Sequence, residues 1–312
     1  MKIQKSIDYG LLKESVVTIG TFDGVHVGHQ KIIKRLVKIA KKKNLQAVVL
    51  TFFPHPRMVL QKDADIKLIN SIDEKYKLLE ERGINHLVVE KFTSDFSRLT
   101  AQEFVSEILI KKLKTKHIII GYDHHFGRNR AANINDLKEF GKIYDFKVTE
   151  ISAKEIKKVA VSSTKIREAF SKGDVALANS FLGYNFMISG YVIKGKGLGK
   201  TLEFPTANLK VEEDYKLIPK TGSYVIKTQF NNKALYGMMN IGKNPTVNGK
   251  KLSIEMHLFD FSEDIYDKKF TIELIDRLRE EKKFNSLKEL KEQLNKDKLK
   301  SISILKSFNT KS

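Results

Sequence analysis

Cysteine is absent from this 312-residue chain. Its absence excludes disulfides, a thiolate nucleophile and any cysteine-ligated zinc, and it fits a reducing compartment. Long apolar runs are missing too. None approaches the roughly 18 residues of a membrane span, and the opening MKIQKSIDYG has no apolar stretch of signal-peptide length. A soluble, cytoplasmic protein with no membrane partner is expected. There is no internal repeat and no low-complexity linker. Aromatic residues make up only 9% and form no ladder interleaved with basic ones, which argues against a nucleic-acid-binding protein.

What is present is a chain long enough for two domains, with 41% apolar residues to build cores. Lysine and arginine number 57 against 37 acidic residues, a formal net charge of +20. That balance favours acidic partners such as nucleotides. The lysines are nevertheless spread from end to end, in pieces such as KKKN (41–44) and KELKEQLNKDKLK (288–300), as expected of solvated helix faces.

The first half alternates apolar, β-branched segments with helical patterns. Strands are expected at 15–20, 47–53, 86–92, 117–122 and 146–151. Over 29–43, Ile32, Ile33, Leu36, Val37 and Ala40 recur at helical spacing. SIDE (71–74) and TAQE (100–103) have the capping-box form, and Gly83 is placed to stop the first of these helices. Strands alternating with helices imply a parallel sheet covered on both faces, an α/β fold of Rossmann type. After Gly183 the pattern becomes short alternating strands, at 186–195, 223–230, 234–242, 252–261 and 269–278, with turns at 231–233 and 247–250. A small antiparallel barrel or sandwich is expected, closed by a helix that starts at the capping box SLKE (286–289). The domains are expected at 1–183 and 184–312.

The stretch TIGTFDGVHVGH (18–29) carries the first chemistry. A strand runs through Gly20 and Gly24 into a helix near Gly28, and in open parallel sheets ligands bind at the carboxyl ends of strands. Helix N-termini there offer free N–H groups and a positive dipole end to phosphate. His26 and His29, three apart, project to one side and can donate to phosphate oxygens. Two other readings stay open: a metal pair completed by a carboxylate such as Asp23, or surface histidines capping a helix. VSSTKIREAF (161–170) adds hydroxyls at a second helix start, with Arg167 one turn on. GYDHHFGRNRAA (121–132), with Asp123 and Arg128, is a further candidate wall. FFPHPR (52–57), with His55 and Arg57, is another.

GTFDGVHVGH followed by SSTKIR resembles the signature pair of the histidine-motif nucleotidyltransferases. Together with TFFPHP and GYDHHFG, it is most similar to the adenylyltransferase half of the bacterial bifunctional riboflavin kinase/FAD synthetases. That resemblance implies transfer of AMP from ATP to FMN. It implies that His26 and His29 bind ATP phosphates and stabilise the transition state. Ser163, Thr164 and Arg167 would hold the β- and γ-phosphates, and Gly20, Phe22, Asp23 and Asp123 would lie by the nucleotide. The family commonly has Phe-Arg after the loop aspartate, where this chain has His124 and His125.

In the second half, GKGLGKTLEFPTANL (195–209) contains Gly199-Lys200-Thr201 but fails as a P-loop. Gly195 and Gly199 enclose three residues, not four, and LEFPTANL, with its proline, reads extended rather than helical. The glycines Gly195 and Gly197 suit a flap over phosphates, or a plain hairpin loop. Thr206 and Asn208 alternate on one side of an extended chain and offer two oxygens to a hard cation such as Mg²⁺. With GSYVIK, MNIGKNPTV, IEMHLFDF and LREEKKF, the segment resembles the riboflavin kinase module, so that the likeness covers roughly 10–305. It implies Mg²⁺–ATP binding by Thr206 and Asn208, with Gly195 and Gly197 over the nucleotide, and Glu255 as general base. On its own residues, Glu255 is either a carboxylate beside Ile254, Met256, Leu258 and Phe259, or one facing outward with Ser253 and His257. Arg279 and Phe284 are candidate flavin contacts. Where the family often has Arg-x-Leu-Gly, this chain has Lys200 and Glu203. The resulting expectation is an enzyme using ATP, riboflavin and FMN to make FAD, as a monomer or weak homo-oligomer. A nucleotidyltransferase with another acceptor and a flavin-sensing second domain is the alternative.

Overall fold

The computed structural model describes residues 2–5, 13–61, 65–122, 124–152, 161–195, 202–246 and 249–310. Two compact units divide the chain, Met1–Ser163 and Thr164–Ser312.

The first unit is built on a six-stranded, all-parallel sheet. Its strands are β1 (Lys2–Lys5), β2 (Ser15–Ile19), β3 (Gln46–Phe53), β4 (His86–Lys91), β5 (Thr115–Gly121) and β6 (Lys147–Ile151), in the order β1-β4-β3-β2-β5-β6. The five strands expected from apolar runs are there; β1 is additional, pairing with β4 at the edge. Every residue of β2 is buried, as a central strand covered on both faces requires. The covering core includes Val17, Val48, Leu50, Ile118, Ile120, Phe104 and Leu109.

Helix α1 (Val27–Lys43) buries Gly28, Ile33, Leu36 and Ala40, and stops at Asn44 in the left-handed region, φ 54°. Lys41, Lys42 and Lys43 fill its last turn, complementing the negative dipole end. The capping box at Ser71 is complete: Glu74 N–H donates to Ser71 Oγ at 3.2 Å, and Ser71 N–H donates to Glu74 at 3.0 Å. It opens the helix Ile72–Glu80, and Gly83 follows at φ 82°. The box at Thr100 and Glu103 is likewise closed.

The second unit holds a closed six-stranded barrel. It comprises β7 (Phe186–Ile193), β8 (Ala207–Lys210), β9 (Gly222–Phe230), β10 (Lys233–Thr246), β11 (Gly249–Leu258) and β12 (Lys269–Arg279), in the order β10-β11-β8-β7-β12-β9. β9 and β10 are joined by Asn231 and Asn232, both at positive φ (49° and 61°), the requirement of a tight two-residue hairpin that asparagine meets readily. β10 and β11 extend further toward each other than their apolar residues suggest, with Thr246 paired to Gly249. Residues 247–248, within the second expected turn, lie outside the described residues.

The helices Ser163–Lys172 and Val175–Leu182 pack on this barrel, Phe170 lying 4.3 Å from Phe186 of β7, ring to ring. They therefore belong to the second unit, and the division falls at Ser163/Thr164, ahead of the 183–184 position that the change in strand pattern marks. The helix Leu287–Asn309 covers one outer face of the barrel. Its Leu305 joins Phe204, Val225, Met238, Ile275 and Leu278 in a core of their own.

Candidate active sites

Strand order locates the first site. From β2 the chain moves out one way through β3 to β4, beyond which β1 forms the edge, and then the other way to β5 and β6. The carboxyl ends of β2 and β5 therefore flank the point where the order reverses, which is where open α/β sheets bind ligands. The loop after β2 runs Gly20–His26. Phe22 (φ 44°), Gly24 (φ 85°) and Val25 (φ 36°) all have positive φ. For a β-branched residue this is a true outlier, costing on the order of 1–3 kcal/mol. The loop is held from several sides. Gly20 N–H donates to Leu50 O at 3.0 Å, Gln30 Nε2 to Val25 O at 2.9 Å, and Thr51 Oγ1 to Thr21 O at 3.1 Å.

This loop delivers the two histidines as a stack. Their ring centroids are 3.6 Å apart with planes 16° from parallel, and Phe22 lies 5.0 Å from His29. His26 is the N-cap of α1: its Nδ1 accepts from His29 N–H at 3.4 Å. An accepting Nδ1 puts the proton of a neutral ring on Nε2. Gly28 makes the room, because a Cβ there would lie 3.2 Å from the His26 ring. Burial pushes His26 down to about 4, against a smaller upward pull from its own backbone. His29 is driven well below the usual histidine range, by burial first and then by His26 and Lys75. At neutral pH both rings are uncharged, and each carries one N–H.

Other residues expected here have structural partners. The Asp23 carboxylate is buried and accepts from Ile69 N–H at 2.8 Å. Ser163 Oγ donates to Asp23 O at 2.8 Å, so its hydroxyl buttresses the loop. Thr164 is exposed and Arg167 half-buried on the helix Ser163–Lys172. His55 caps the short helix Pro56–Leu60, accepting from Arg57 N–H at 3.2 Å. His124 stacks 6.1 Å from Phe126. Asp123 lies outside the described residues.

One group at this site has no mark in the sequence. Lys75 is buried and donates from Nζ to Thr21 O at 2.7 Å. Burial draws its ammonium down to about 8, with Asp23 opposing. Only the capping box one residue before it could have signalled that this lysine faces inward.

In the barrel, pairing register assembles the second site. Glu255 of β11 lies opposite Asn208 of β8 on one side and Asn240 of β10 on the other, and Asn240 lies opposite Ser223 of β9. Directly paired residues share a face with Cβ atoms about 5 Å apart, so Asn208, Glu255, Asn240 and Ser223 form a row across four strands. Ser223 Oγ donates to Asn240 Oδ1 at 3.5 Å. Ile254, Met256 and Leu258 are buried on the opposite face. The apolar neighbours in sequence thus do not surround the Glu255 carboxylate, because strand alternation turns them away.

Gly195 comes against Asn208: a Cβ there would lie 2.0 Å from Asn208 Nδ2. Thr206 follows Pro205, whose carbonyl accepts from His257 Nδ1 at 2.8 Å, while Phe204 packs 5.1 Å from the His257 ring. His257, noted in the sequence only as sharing a strand face with Glu255, thereby fixes the FPT segment. Glu203 pairs with Lys291 at 2.9 Å, which engages its carboxylate with the C-terminal helix. Gly197 and the Gly199-Lys200-Thr201 stretch lie outside the described residues, and residues 202–206 lead into a strand.

Arg279 does not offer a free guanidinium. Nε donates to both carboxylate oxygens of buried Asp297, at 3.1 and 2.9 Å, and the second terminal nitrogen reaches Asp297 at 2.8 Å. Gln293 also donates to Asp297, at 2.9 Å. The face of the guanidinium lies 5.8 Å from the half-buried Phe284 ring. Arg279 thus ties β12 to the C-terminal helix and supports Phe284.

A stacked histidine pair at the switch point of a parallel sheet, and a barrel carboxylate in register between two asparagines, mark the two chemical centres of a two-unit protein, an α/β unit followed by a closed barrel. The FAD synthetase family model matches residues 10–165 and the riboflavin kinase model residues 182–305. The bifunctional riboflavin kinase/FMN adenylyltransferase of Buchnera aphidicola subsp. Schizaphis graminum is 41% identical over 298 residues, 94% of each chain. That of Bacillus subtilis is 38% identical over 302 residues, again 94% of each. A crystal structure described as a macrolide-efflux protein from Streptococcus pneumoniae superposes with TM-score 0.85 and 34% identity over 95% of this chain and 97% of that one. Among the described residues here, no helix is long and apolar enough to cross a membrane. The chain belongs to the bifunctional riboflavin kinase/FMN adenylyltransferase family. It phosphorylates riboflavin to FMN with ATP and adenylylates FMN to FAD, releasing pyrophosphate.

Proposed function

We propose that the two reactions are divided between the two constellations. In adenylyl transfer an FMN phosphate oxygen attacks the α-phosphate of ATP and pyrophosphate leaves. His26 Nε2–H and the ring N–H of His29 donate to the phosphate oxygens on which charge builds. The observation that carries this is the stacked, uncharged histidine pair at the switch point. Gly20 and Phe22 line the nucleotide, and Asp23 and Ser163 hold the loop. Thr164, Arg167 and Asp123 are further ATP contacts on the strength of the family motif.

In the kinase reaction the ribityl hydroxyl attacks the γ-phosphate and gives its proton to Glu255. None of the described residues hydrogen-bonds to the Glu255 carboxylate, and its neighbours Asn208 and Asn240 leave it a polar face. The Thr206 hydroxyl and Asn208 carbonyl are hard oxygen donors, and Gly195 leaves the Asn208 amide its place, so this set fits Mg²⁺. When bound with ATP, the ion would neutralise phosphate charge. Gly195 and Gly197 would cover the nucleotide, and Phe284, backed by Arg279, would meet the flavin ring. The functional segments run 1–183 and 184–312, with the helices Ser163–Lys172 and Val175–Leu182, which pack on the barrel, as the connection between family matches that stop at 165 and resume at 182. The enzyme works in the cytoplasm, which the lack of cysteine suits, as a monomer or weak homo-oligomer.

The test is a crossed pair of variants, with flavins separated over time. His26→Ala and His29→Ala should turn riboflavin into FMN normally yet make FAD on the order of 100-fold slower. Glu255→Gln should make FAD from supplied FMN at the normal rate while phosphorylating riboflavin roughly 100- to 10,000-fold slower. Variants that impair both reactions equally, or neither, would refute the division.

A further inference from the structure

Lys75 is 3% exposed and is spent on a backbone carbonyl. Its Nζ donates to Thr21 O at 2.7 Å and lies 3.5 Å from Thr51 Oγ1. Thr51 donates to the same carbonyl at 3.1 Å. Thr21 stands immediately before the positive-φ run of Phe22, Gly24 and Val25 that ends in His26. One carbonyl therefore gathers a donor from β3 and a donor from the helix Ile72–Glu80, at the point where the chain must turn to present the histidines. The lysine is itself rigidly placed, since it follows the closed capping box of Ser71 and Glu74.

A buried ammonium is costly unless something opposes its charge. The titratable groups that act on it are Asp23, itself buried and held by Ile69 N–H, and His29; its chain neighbour Glu74 is occupied in the capping box. A neutral glutamine or methionine would fill this space at less electrostatic cost. The charge has a consequence at the site: it disfavours protonation of His29, whose ring is thereby kept neutral.

We propose that Lys75 is a positioning residue for adenylyl transfer, whose buried ammonium anchors the Thr21 carbonyl and so holds the loop that presents His26 and His29. It touches no substrate and acts through the loop and the histidine pair, so the inference rests on the reading of that pair as the phosphate donors. Displacing them by about 1 Å is enough to slow the chemistry on the order of 100-fold without abolishing binding.

The experiment uses the full-length enzyme carrying Lys75→Met. FMN adenylylation should lose about 10- to 100-fold in kcat, with KM for ATP and FMN little changed and riboflavin phosphorylation intact as the internal control. The NMR titration midpoint of the His29 ring should move up, because a positive neighbour is gone. On a His29→Ala background the same substitution should cost little more. A folded Lys75→Met enzyme with full adenylylation kcat overturns the proposal. So does an unmoved His29 titration, or a loss that adds in full to that of His29→Ala. If Lys75→Met fails to fold, Lys75→Leu, which likewise removes both the donor to Thr21 and the charge, is read by the same criteria. If His29→Ala itself retains full adenylylation, the histidine reading has failed; if it is impaired while Lys75→Met is not, only the role of Lys75 has failed.

Discussion

At the scale of single residues, the protein keeps two imidazoles uncharged at the site proposed to receive phosphate. Burial holds His26 at about 4 and His29 well below its ordinary value. A polyphosphate beside them favours the charged form and raises both. ATP binding at this site should therefore be coupled to proton uptake near pH 6. Calorimetry in buffers of different ionisation enthalpy would measure it, as the difference between the wild type and a His26→Ala/His29→Ala variant. Subtraction removes the contribution of ATP's own ionisation and of the kinase site. Equal proton uptake by the two proteins would show that the histidines do not meet phosphate.

At the scale of elements, the C-terminal helix is the piece that the barrel cannot spare. It contributes Leu305 to the outer core, Lys291 to Glu203, and Asp297 to Arg279. Lys300 adds a bond to Leu278 O at 2.8 Å. Removing one member of a buried pair leaves the other uncompensated, which costs about 3 kcal/mol. Asp297→Ala should lower the denaturant midpoint of the barrel unit accordingly. It should also weaken riboflavin binding, since Arg279 would no longer be held behind Phe284. The adenylylation of FMN should be unaffected. An unchanged midpoint would mean that the helix is held by its apolar face alone.

At the scale of the whole molecule, mild acid should destabilise the first unit. His26 and His117 are each lowered to about 4 by burial, His117 with added repulsion from Lys43, Lys147 and Arg35, and His29 is lowered well below its usual range as well. An unfolded histidine binds its proton near 6.5, so below that pH the unfolded chain holds more protons than the folded one. The stability from these three groups is thus complete above about pH 6.5 and is lost as pH falls below it, for His26 and His117 down to about 4 and by up to about 1.4 kcal/mol per pH unit for each of those two. Hydrogen exchange of the β5 amides between pH 7 and 5 would follow it. His117→Gln, which keeps a partner for Thr149, should flatten the slope by one histidine's share. A slope unaltered in that variant would assign the acid sensitivity elsewhere.

The sequence by itself determined the elements and the chemistry. Alternation of β-branched runs with a 3.6-residue apolar period is local, and so are capping boxes and the Asn-Asn turn; each was legible because it depends on neighbours within a few positions. The motifs around His26 and Thr206 were legible for the same reason. Tertiary structure alone decided what lies far apart along the chain. Strand order put the loop after β2 at the switch point. Barrel register set Glu255 between Asn208 and Asn240, and a one-residue slip would have turned it to the other face. The edge strand β1 has too few residues for a period to show. Lys75 reads as an ordinary surface cation and Arg279 as a guanidinium free to meet a flavin, because a lysine or arginine looks the same in sequence whether it ends in water, on a ligand or on a buried carbonyl or carboxylate. Only the packing around Thr21 and Asp297 distinguishes the two, since the cost of burying a charge is settled by partners brought in from elsewhere in the fold.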